Sequence, residues 1–138
     1  MVRLSVALGM LVALVLGVVL FAAQSTGDPN YSNADPAAFK KIVADKQGQL
    51  LDVRTPEEYA EGFISGATNL NFFDEGFQTE LEKLDKSKPV YVYCRSGGRS
   101  GKTMERLKGM GFAKVVNLAG GMIAWQKDGM PVEKPQKP

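Results

Sequence analysis

The stretch that decides the fold is PVYVYCRSGGRS, residues 89–100. Its first five residues are apolar or aromatic, which is typical of a buried strand. Gly97 and Gly98 permit a tight turn, and the amphipathic pattern over residues 100–110 predicts a helix. We therefore interpret the stretch as a strand, a basic glycine-rich loop and the start of a helix, with Cys94 at the end of the strand.

Cys94 is the only cysteine among 138 residues. A thiol at this position faces the N–H groups of the loop, the positive end of the following helix dipole, and the side chains of Arg95 and Arg99. Each of these favours the thiolate, which is the nucleophilic form of cysteine. An inert buried cysteine would not need a basic glycine loop, so the sequence predicts a nucleophile at Cys94.

Composition excludes several kinds of chemistry. The chain has no histidine, which rules out Ser-His-Asp and Cys-His catalytic groups and, with a single cysteine, argues against a zinc site. We therefore predict neither a metal nor a cofactor. With 44% hydrophobic residues, 23% charged residues and a net charge of +2, the chain has an ordinary globular composition. No block of like charges is present, so we expect no nucleic-acid partner.

The N-terminal residues are predicted to form a targeting segment. The run from Leu4 to Ala23 is interrupted only by Ser5 and glycines, and it is long enough to span a bilayer. The small residues Ala23 and Ser25 also fit a cleavage site. Residues 1–25 are therefore a signal peptide or, if uncleaved, a membrane anchor. In both cases we expect the domain to be exported, to the periplasm or cell envelope.

Export bears on the state of Cys94. Structural cysteines in oxidising compartments usually occur in pairs, and a single one is a free thiol or an intermolecular link.

Predicted strands and helices alternate along the chain. The predicted strands span residues 49–53, 67–70, 89–93 and 114–118. The predicted helices span residues 37–46, 56 to about 62, 77–84, 100–110 and 122–127. Several strands are continuous apolar runs, which indicates a parallel sheet covered by helices on both faces. We interpret residues 26–33 as a linker entering the domain, with 26–30 as the linker proper, and residues 134–138 as a polar tail.

Three segments together carry a family resemblance. They are LDVRTPEEYAEGFISGA (51–67), CRSGGRS (94–100) and GGMIAWQKDGMPV (120–132). In order and spacing they resemble the rhodanese (thiosulfate sulfurtransferase) family, over residues 31–133. The resemblance implies a three-layer α/β/α domain with a central, mostly parallel five-stranded sheet. Phe63 and Ser65 stand where the family often has His and Pro, which removes any role for a histidine near the site.

The resemblance also implies a mechanism. The Cys94 thiolate attacks the outer sulfur of a donor such as thiosulfate and becomes a persulfide, while sulfite leaves. A thiol, a protein thiol or cyanide then accepts the sulfur. The residues expected to bind the donor and the persulfide are Arg95, Ser96, Gly97, Gly98, Arg99 and Ser100.

Four further residues receive supporting roles. Asp52 and Arg54 would support the loop from a neighbouring strand end, unless Arg54 instead pairs with Glu57 or Glu58 to fix the following helix. Ser100 is expected to cap the helix that follows the loop, with its hydroxyl facing the loop. Trp125 is expected to be an apolar core anchor.

Three other functions compete with sulfur transfer. A cysteine-dependent phosphatase or arsenate reductase also uses Cys and Arg around an oxyanion, but with a longer loop than the one between Cys94 and Arg99. A non-catalytic or sulfur-carrier module would bind a protein partner. A thiol redox protein would need a second cysteine to resolve its disulfide.

Overall fold

The computed structural model describes residues 27–137, in which five strands alternate with five helices. The elements are β1 (Tyr31–Ala34), α1 (Pro36–Ala44), β2 (Gln49–Asp52), α2 (Pro56–Glu61), β3 (Thr68–Asn69), α3 (Phe77–Glu82), β4 (Val90–Tyr93), α4 (Gly98–Gly109), β5 (Val115–Leu118) and α5 (Gly121–Lys127). The predicted signal peptide or membrane anchor at 1–25 lies outside the described residues. No helix within residues 27–137 has the length and apolar character needed to cross a bilayer.

The strands form a single five-stranded sheet in the order β1-β5-β4-β2-β3. All four neighbouring pairs are parallel. The predicted five-stranded α/β architecture is therefore confirmed, with every strand pair parallel. The central strand β4 is hydrogen-bonded to β2 on one side and to β5 on the other, and all of its residues are buried.

Side chains of β4 alternate between two apolar cores. Val90 and Val92 pack in the cluster that contains the buried apolar residues of α3 and α4. Tyr91 and Tyr93 pack in the opposite cluster, with the buried aromatic residues of α1 and α5. A sheet strand that is buried on both faces has no polar side, which explains the continuous apolar run in the sequence.

Trp125 is the anchor of the second core, as predicted. It is 2% exposed, and its indole N–H donates to the carbonyl of Pro131 at 2.8 Å. The apolar ring is thus buried while its one polar group has a partner.

Capping residues place the starts of the first two helices. The Asp35 carboxylate accepts the N–H of Ala38 at the start of α1. Thr55 and Glu58 form a reciprocal capping box at the start of α2, in which each side chain bonds the other residue's backbone N–H. Each start is a capping residue followed by proline, Asp35-Pro36 and Thr55-Pro56, and this pair favours a helix start in the sequence itself.

The prediction of a linker over residues 26–33 is wrong for its last three residues. Residues 31–34 form β1, which pairs in parallel with β5 from Tyr31 opposite Val115 to Ala34 opposite Leu118. The strand reads Tyr-Ser-Asn-Ala and lies at the sheet edge with its side chains partly exposed. Pairing with the backbone of β5, rather than an apolar side-chain pattern, makes this segment a strand.

A close backbone approach joins the end of β5 to the residues that follow β4. Gly120 and Gly121 both have positive φ, at 73° and 56°. From the first turn of α5, the Met122 N–H donates to the Cys94 carbonyl at 2.9 Å and the Ile123 N–H donates to the Arg95 carbonyl at 3.0 Å. A Cβ at Gly121 would lie 2.5 Å from the Cys94 and Arg95 carbonyl oxygens. Only glycine permits this approach, which holds the peptide that carries the cysteine.

Replacement of Gly121 by Ala should therefore destabilise the fold by roughly 2 kcal/mol or more, because the new Cβ clashes with backbone and the φ value is strained. Urea unfolding monitored by Trp125 fluorescence measures the change. The matched control is Gly109→Ala, at a helical glycine where an added Cβ meets nothing within 4 Å. Equal stability of the two variants would contradict the close approach.

Candidate active site

Cys94 lies directly after β4, at the carboxyl edge of the sheet, and is 1% exposed. Its Sγ accepts a hydrogen bond from the Gly97 N–H at 3.1 Å and another from the Ser100 hydroxyl at 3.3 Å. Gly97 has φ 105°, so the chain curls back over the sulfur before α4 begins. The loop thus brings the two donors to the thiol from positions three and six residues further along the chain.

Two opposing effects set the acidity of this thiol. Burial raises the pKa of Cys94, because it removes the thiolate from water. Hydrogen bonds from the Ser100 hydroxyl and from the N–H groups of Ser100, Gly97 and Ser96 lower it, and together they outweigh burial. The pKa of Cys94 is therefore lower than that of an ordinary cysteine, and the hydrogen bonds that lower it come from neutral donors.

Arg99 does not extend towards the thiol as a free anion-binding group. Its guanidinium makes a two-point ion pair with the Glu58 carboxylate, with Nη1–Oε1 at 2.8 Å and Nη2–Oε2 at 2.9 Å. The hydrogen bond from Arg99 is the main reason that the pKa of Glu58 falls to about 2. The predicted role of Arg99 in binding the anionic donor therefore requires a guanidinium that is already paired with Glu58.

The predicted helix cap at Ser100 is wrong. Helix α4 begins at Gly98 with Gly97 as its N-cap, two residues earlier than expected. Ser100 lies in the first turn and is fully buried, and its hydroxyl faces the loop as predicted, in contact with the sulfur. The left-handed conformation of Gly97 ends the loop early, so Ser100 lies inside the helix, where its hydroxyl donates to the cysteine sulfur instead of accepting a helix N–H.

The alternative that pairs Arg54 with Glu57 or Glu58 is also wrong. Arg54 pairs with Asp52, not with Glu57 or Glu58: its Nη2 lies 2.6 Å from Oδ2 of Asp52, and its Nε lies 2.9 Å from Oδ1. Asp52 is the nearest carboxylate in sequence, and Glu58 is occupied by Arg99.

The Asp52–Arg54 pair is buried and is joined by several hydrogen bonds. Asp52 has no exposed surface, and Arg54 is 5% exposed. Nη2 of Arg54 also donates to the Gly62 carbonyl at 2.7 Å, and the guanidinium lies 5.6 Å from the centre of the Tyr93 ring. The pair therefore ties the end of β2 to the segment after α2 and to β4.

An open cavity of about 410 Å³ adjoins the loop. Arg54 and Arg95 contribute positive charge to its lining, Glu58 and Glu61 contribute negative charge, and Ile123 contributes an apolar surface. Ser96 and Gly98 are exposed at the turn of the loop beside Arg95. Of the predicted loop residues, Ser96, Gly97 and Ser100 direct donors at the thiol, and Arg99 pairs with Glu58. Arg95 and Arg54 line the adjacent space.

The roles of two residues that shape the site were not predicted from the sequence. Glu58 was named only as a candidate partner of Arg54, and its capping position already accounts for its presence. Gly121 was named only within the third family segment, at 120–132. The consecutive glycines at 120–121 were the available signal of a close backbone approach.

The site agrees with comparisons to known proteins. The model of the rhodanese-like domain family matches residues 35–128. A sulfurtransferase of Allochromatium vinosum is 36% identical over 103 residues, which cover 74% of this chain and 94% of that protein. Thiosulfate sulfurtransferase 16 of Arabidopsis thaliana is 37% identical over 95 residues, covering 62% of this chain and 79% of that protein.

A solved structure also shares the fold. The crystal structure of a rhodanese-related protein from Thermoplasma volcanium superposes with a TM-score of 0.68 at 28% sequence identity. The superposition covers 76% of this chain and 100% of that chain. Together with the five-stranded parallel sheet and the cysteine loop, these likenesses establish that the chain belongs to the rhodanese-like domain family. Its curated relatives include sulfurtransferases.

Removal of the Ser100 hydroxyl by Ser100→Ala should raise the pKa of Cys94, because one hydrogen bond to the thiolate is lost. A hydrogen bond to a charged group contributes about 1.5 kcal/mol or more, so alkylation by iodoacetamide at neutral pH should slow roughly tenfold. The measurement is the alkylation rate as a function of pH. Ser96→Ala, which keeps the backbone N–H, is the control. An unchanged pH profile in Ser100→Ala would refute the role of the hydroxyl.

Replacement of Asp52 by Ala should destabilise the domain by about 3–5 kcal/mol, since it leaves the buried Arg54 charge without its partner. Chemical unfolding measures the loss. Glu80→Ala is the matched control, because it breaks the exposed Glu80–Lys83 pair and should cost no more than about 1 kcal/mol. Similar losses in the two variants would show that the buried pair is not a stabilising tie.

Proposed function

We propose that this domain is a sulfurtransferase that moves sulfane sulfur from an anionic donor such as thiosulfate to a thiol acceptor, with cyanide as a substitute acceptor in an assay. The observation that carries the proposal is the Cys94 sulfur held at the carboxyl edge of the sheet by the Gly97 N–H and the Ser100 hydroxyl. A thiolate prepared in this way needs no base to remove its proton when it attacks, which fits a chain without histidine.

The reaction consists of two displacements. The Cys94 thiolate attacks the outer sulfur of thiosulfate, a new S–S bond forms, and the S–S bond of the donor breaks so that sulfite leaves with its electron pair. The terminal sulfur of the Cys94 persulfide is then attacked by an acceptor thiolate. The protein S–S bond breaks, the acceptor leaves as a persulfide, and the Cys94 thiolate is regenerated. No oxidant or reductant is consumed.

The loop supports both displacements through the same donors. The negative charge begins on Sγ, moves to the terminal sulfur of the persulfide and returns to Sγ. N–H groups fixed by the curled loop do not have to reorganise when charge develops near them. The hydroxyl of Ser100 is buried and the amides are backbone groups, so all of them are positioned before the donor arrives.

An anionic donor is supported by the charges beside the loop. Arg95 lines the adjacent cavity and is exposed, whereas Arg54, which also lines it, has its charge paired with Asp52. A guanidinium can bind two oxygens of a sulfonate-type group, which thiosulfate carries. The name of the Arabidopsis thaliana relative, a thiosulfate sulfurtransferase, is consistent with this choice.

The acceptor belongs to the same proposal. The cavity is open and the loop is at the surface, which leaves room for a small thiol or for a thiol on a protein. The apolar run at residues 4–23 supports export of the domain. Outside the cytoplasm a thiol is a more reasonable acceptor than cyanide.

Steady-state kinetics with thiosulfate and cyanide test the proposal. Two sequential displacements through a covalent intermediate predict ping-pong behaviour, in which double-reciprocal plots at several cyanide concentrations are parallel. Cys94→Ser should abolish thiocyanate formation while leaving the circular dichroism spectrum unchanged. Turnover that persists in Cys94→Ser would contradict the proposal, and so would intersecting lines.

A further inference from the structure

We propose that Glu58 is a positioning residue for the cysteine loop, which it holds in its working conformation by clamping Arg99 from the neighbouring helix α2. The inference rests on the proposed sulfur transfer, because it assigns a role within that reaction. Glu58 does not touch the sulfur, and its effect passes through Arg99 and the turn that Arg99 belongs to.

The geometry of the pair is that of a clamp. Both oxygens of Glu58 are engaged by both terminal nitrogens of Arg99, at 2.8 and 2.9 Å. Two parallel N–H···O bonds fix direction as well as distance, unlike a single contact. The Phe73 ring lies 5.6 Å from the same guanidinium and limits its movement on another side.

Glu58 is itself held from the other side. Its Oε1 lies 3.3 Å from the Thr55 hydroxyl and 3.4 Å from the Thr55 N–H, and its own N–H donates to the Thr55 hydroxyl at 3.3 Å. These contacts form the capping box that starts α2. The carboxylate is therefore oriented by its own helix before Arg99 binds it.

Arg99 connects this fixed carboxylate to the donors of the thiolate. It lies between Gly97 and Ser100, whose N–H and hydroxyl groups contact the Cys94 sulfur. Its carbonyl also accepts the Thr103 hydroxyl at 2.9 Å, one turn further along α4. Any rotation of this first turn would move the Ser100 hydroxyl relative to the sulfur, so a fixed Arg99 means a fixed donor.

The clamp and a purely electrostatic role predict opposite signs in matched variants. If only charge mattered, Glu58→Gln would remove a negative charge near the thiolate and speed its reactions, whereas Arg99→Gln would slow them. If the clamp matters, both changes slow them. The double variant Glu58→Gln/Arg99→Gln leaves the net charge unchanged, so its loss reports the clamp alone.

The variants also separate the ion pair from the helix cap. Glutamine at position 58 can still complete a capping box, so Glu58→Gln breaks the ion pair while the cap is kept. Thr55→Ala breaks the cap while the two charged groups remain. Arg99→Lys keeps the charge but cannot reproduce the planar two-point contact. Glu57→Gln is the charge control, because Glu57 is an exposed carboxylate in the same turn of α2.

Two readouts test the clamp: kcat for sulfur transfer at saturating thiosulfate, and the rate of Cys94 alkylation, which needs no sulfur chemistry. Misplaced catalytic groups typically lower a rate roughly ten- to a hundredfold.

We expect both rates to fall roughly tenfold or more in Arg99→Gln and in the double variant, and to fall by a smaller factor in Glu58→Gln and Arg99→Lys. The double variant should lose less than the product of the two single losses. Glu57→Gln should keep kcat. Thr55→Ala should lower the unfolding midpoint and should lower kcat no more than Glu58→Gln does, because the Glu58–Arg99 pair remains while the carboxylate loses its support from the Thr55 hydroxyl.

Faster reaction in Glu58→Gln together with slower reaction in Arg99→Gln would overturn the clamp in favour of simple electrostatics. A double variant as active as the unmodified protein would overturn it as well. If the unmodified protein transfers no sulfur at all, the proposed function fails while the alkylation rates still decide whether Glu58 orders the loop.

Discussion

The parallel pairing of β4 with a strand on each side is the constraint on which the rest of the structure depends. Because β2, β4 and β5 run in the same direction, their carboxyl ends meet at one edge of the sheet. That edge brings together the Asp52–Arg54 pair, the cysteine loop and the Gly120–Gly121 turn. Each of the three comes from a different strand. Cys94 is held by its own loop through the sulfur and by the Met122 N–H through its carbonyl.

The site uses its neutral and charged groups for different tasks. Backbone N–H groups and the Ser100 hydroxyl contact the sulfur and lower the pKa of Cys94 despite its burial. Arg54 and Arg99 are each paired with a carboxylate, Asp52 and Glu58 respectively. In this arrangement the arginines join secondary-structure elements, and the oriented dipoles of the loop stabilise the negative charge.

Local patterns in the sequence predicted most of the fold. The apolar run at 89–93, the glycine loop after it and the cap-and-proline signals at Asp35 and Thr55 each encode a local conformation. The edge strand β1 could not be predicted in this way. Its sequence, Tyr-Ser-Asn-Ala, has no apolar periodicity, and it is a strand because β5 offers unpaired backbone groups.

The same distinction applies to the site. Cys94 and the residues that curl around it are contiguous in sequence, so the loop could be recognised. The partner of Arg99 lies 41 positions away, at Glu58. The sequence around Glu58 is that of a helix-capping residue, and it carries no sign that the same carboxylate also binds an arginine. The partner of Arg54 lies only two positions away, at Asp52. The alternation of side chains along an extended chain brings residues two apart to the same face, so this pair was visible in the sequence but was not weighed against Glu57 and Glu58.

The central claim is that the loop prepares Cys94 to carry one sulfur atom, and intact mass spectrometry of the reduced domain after incubation with thiosulfate tests it most directly. The account predicts a gain of about 32 Da that disappears when a thiol or cyanide is added and that is absent from a Cys94→Ala variant. An unchanged mass in protein whose thiol has been confirmed as reduced would contradict the account.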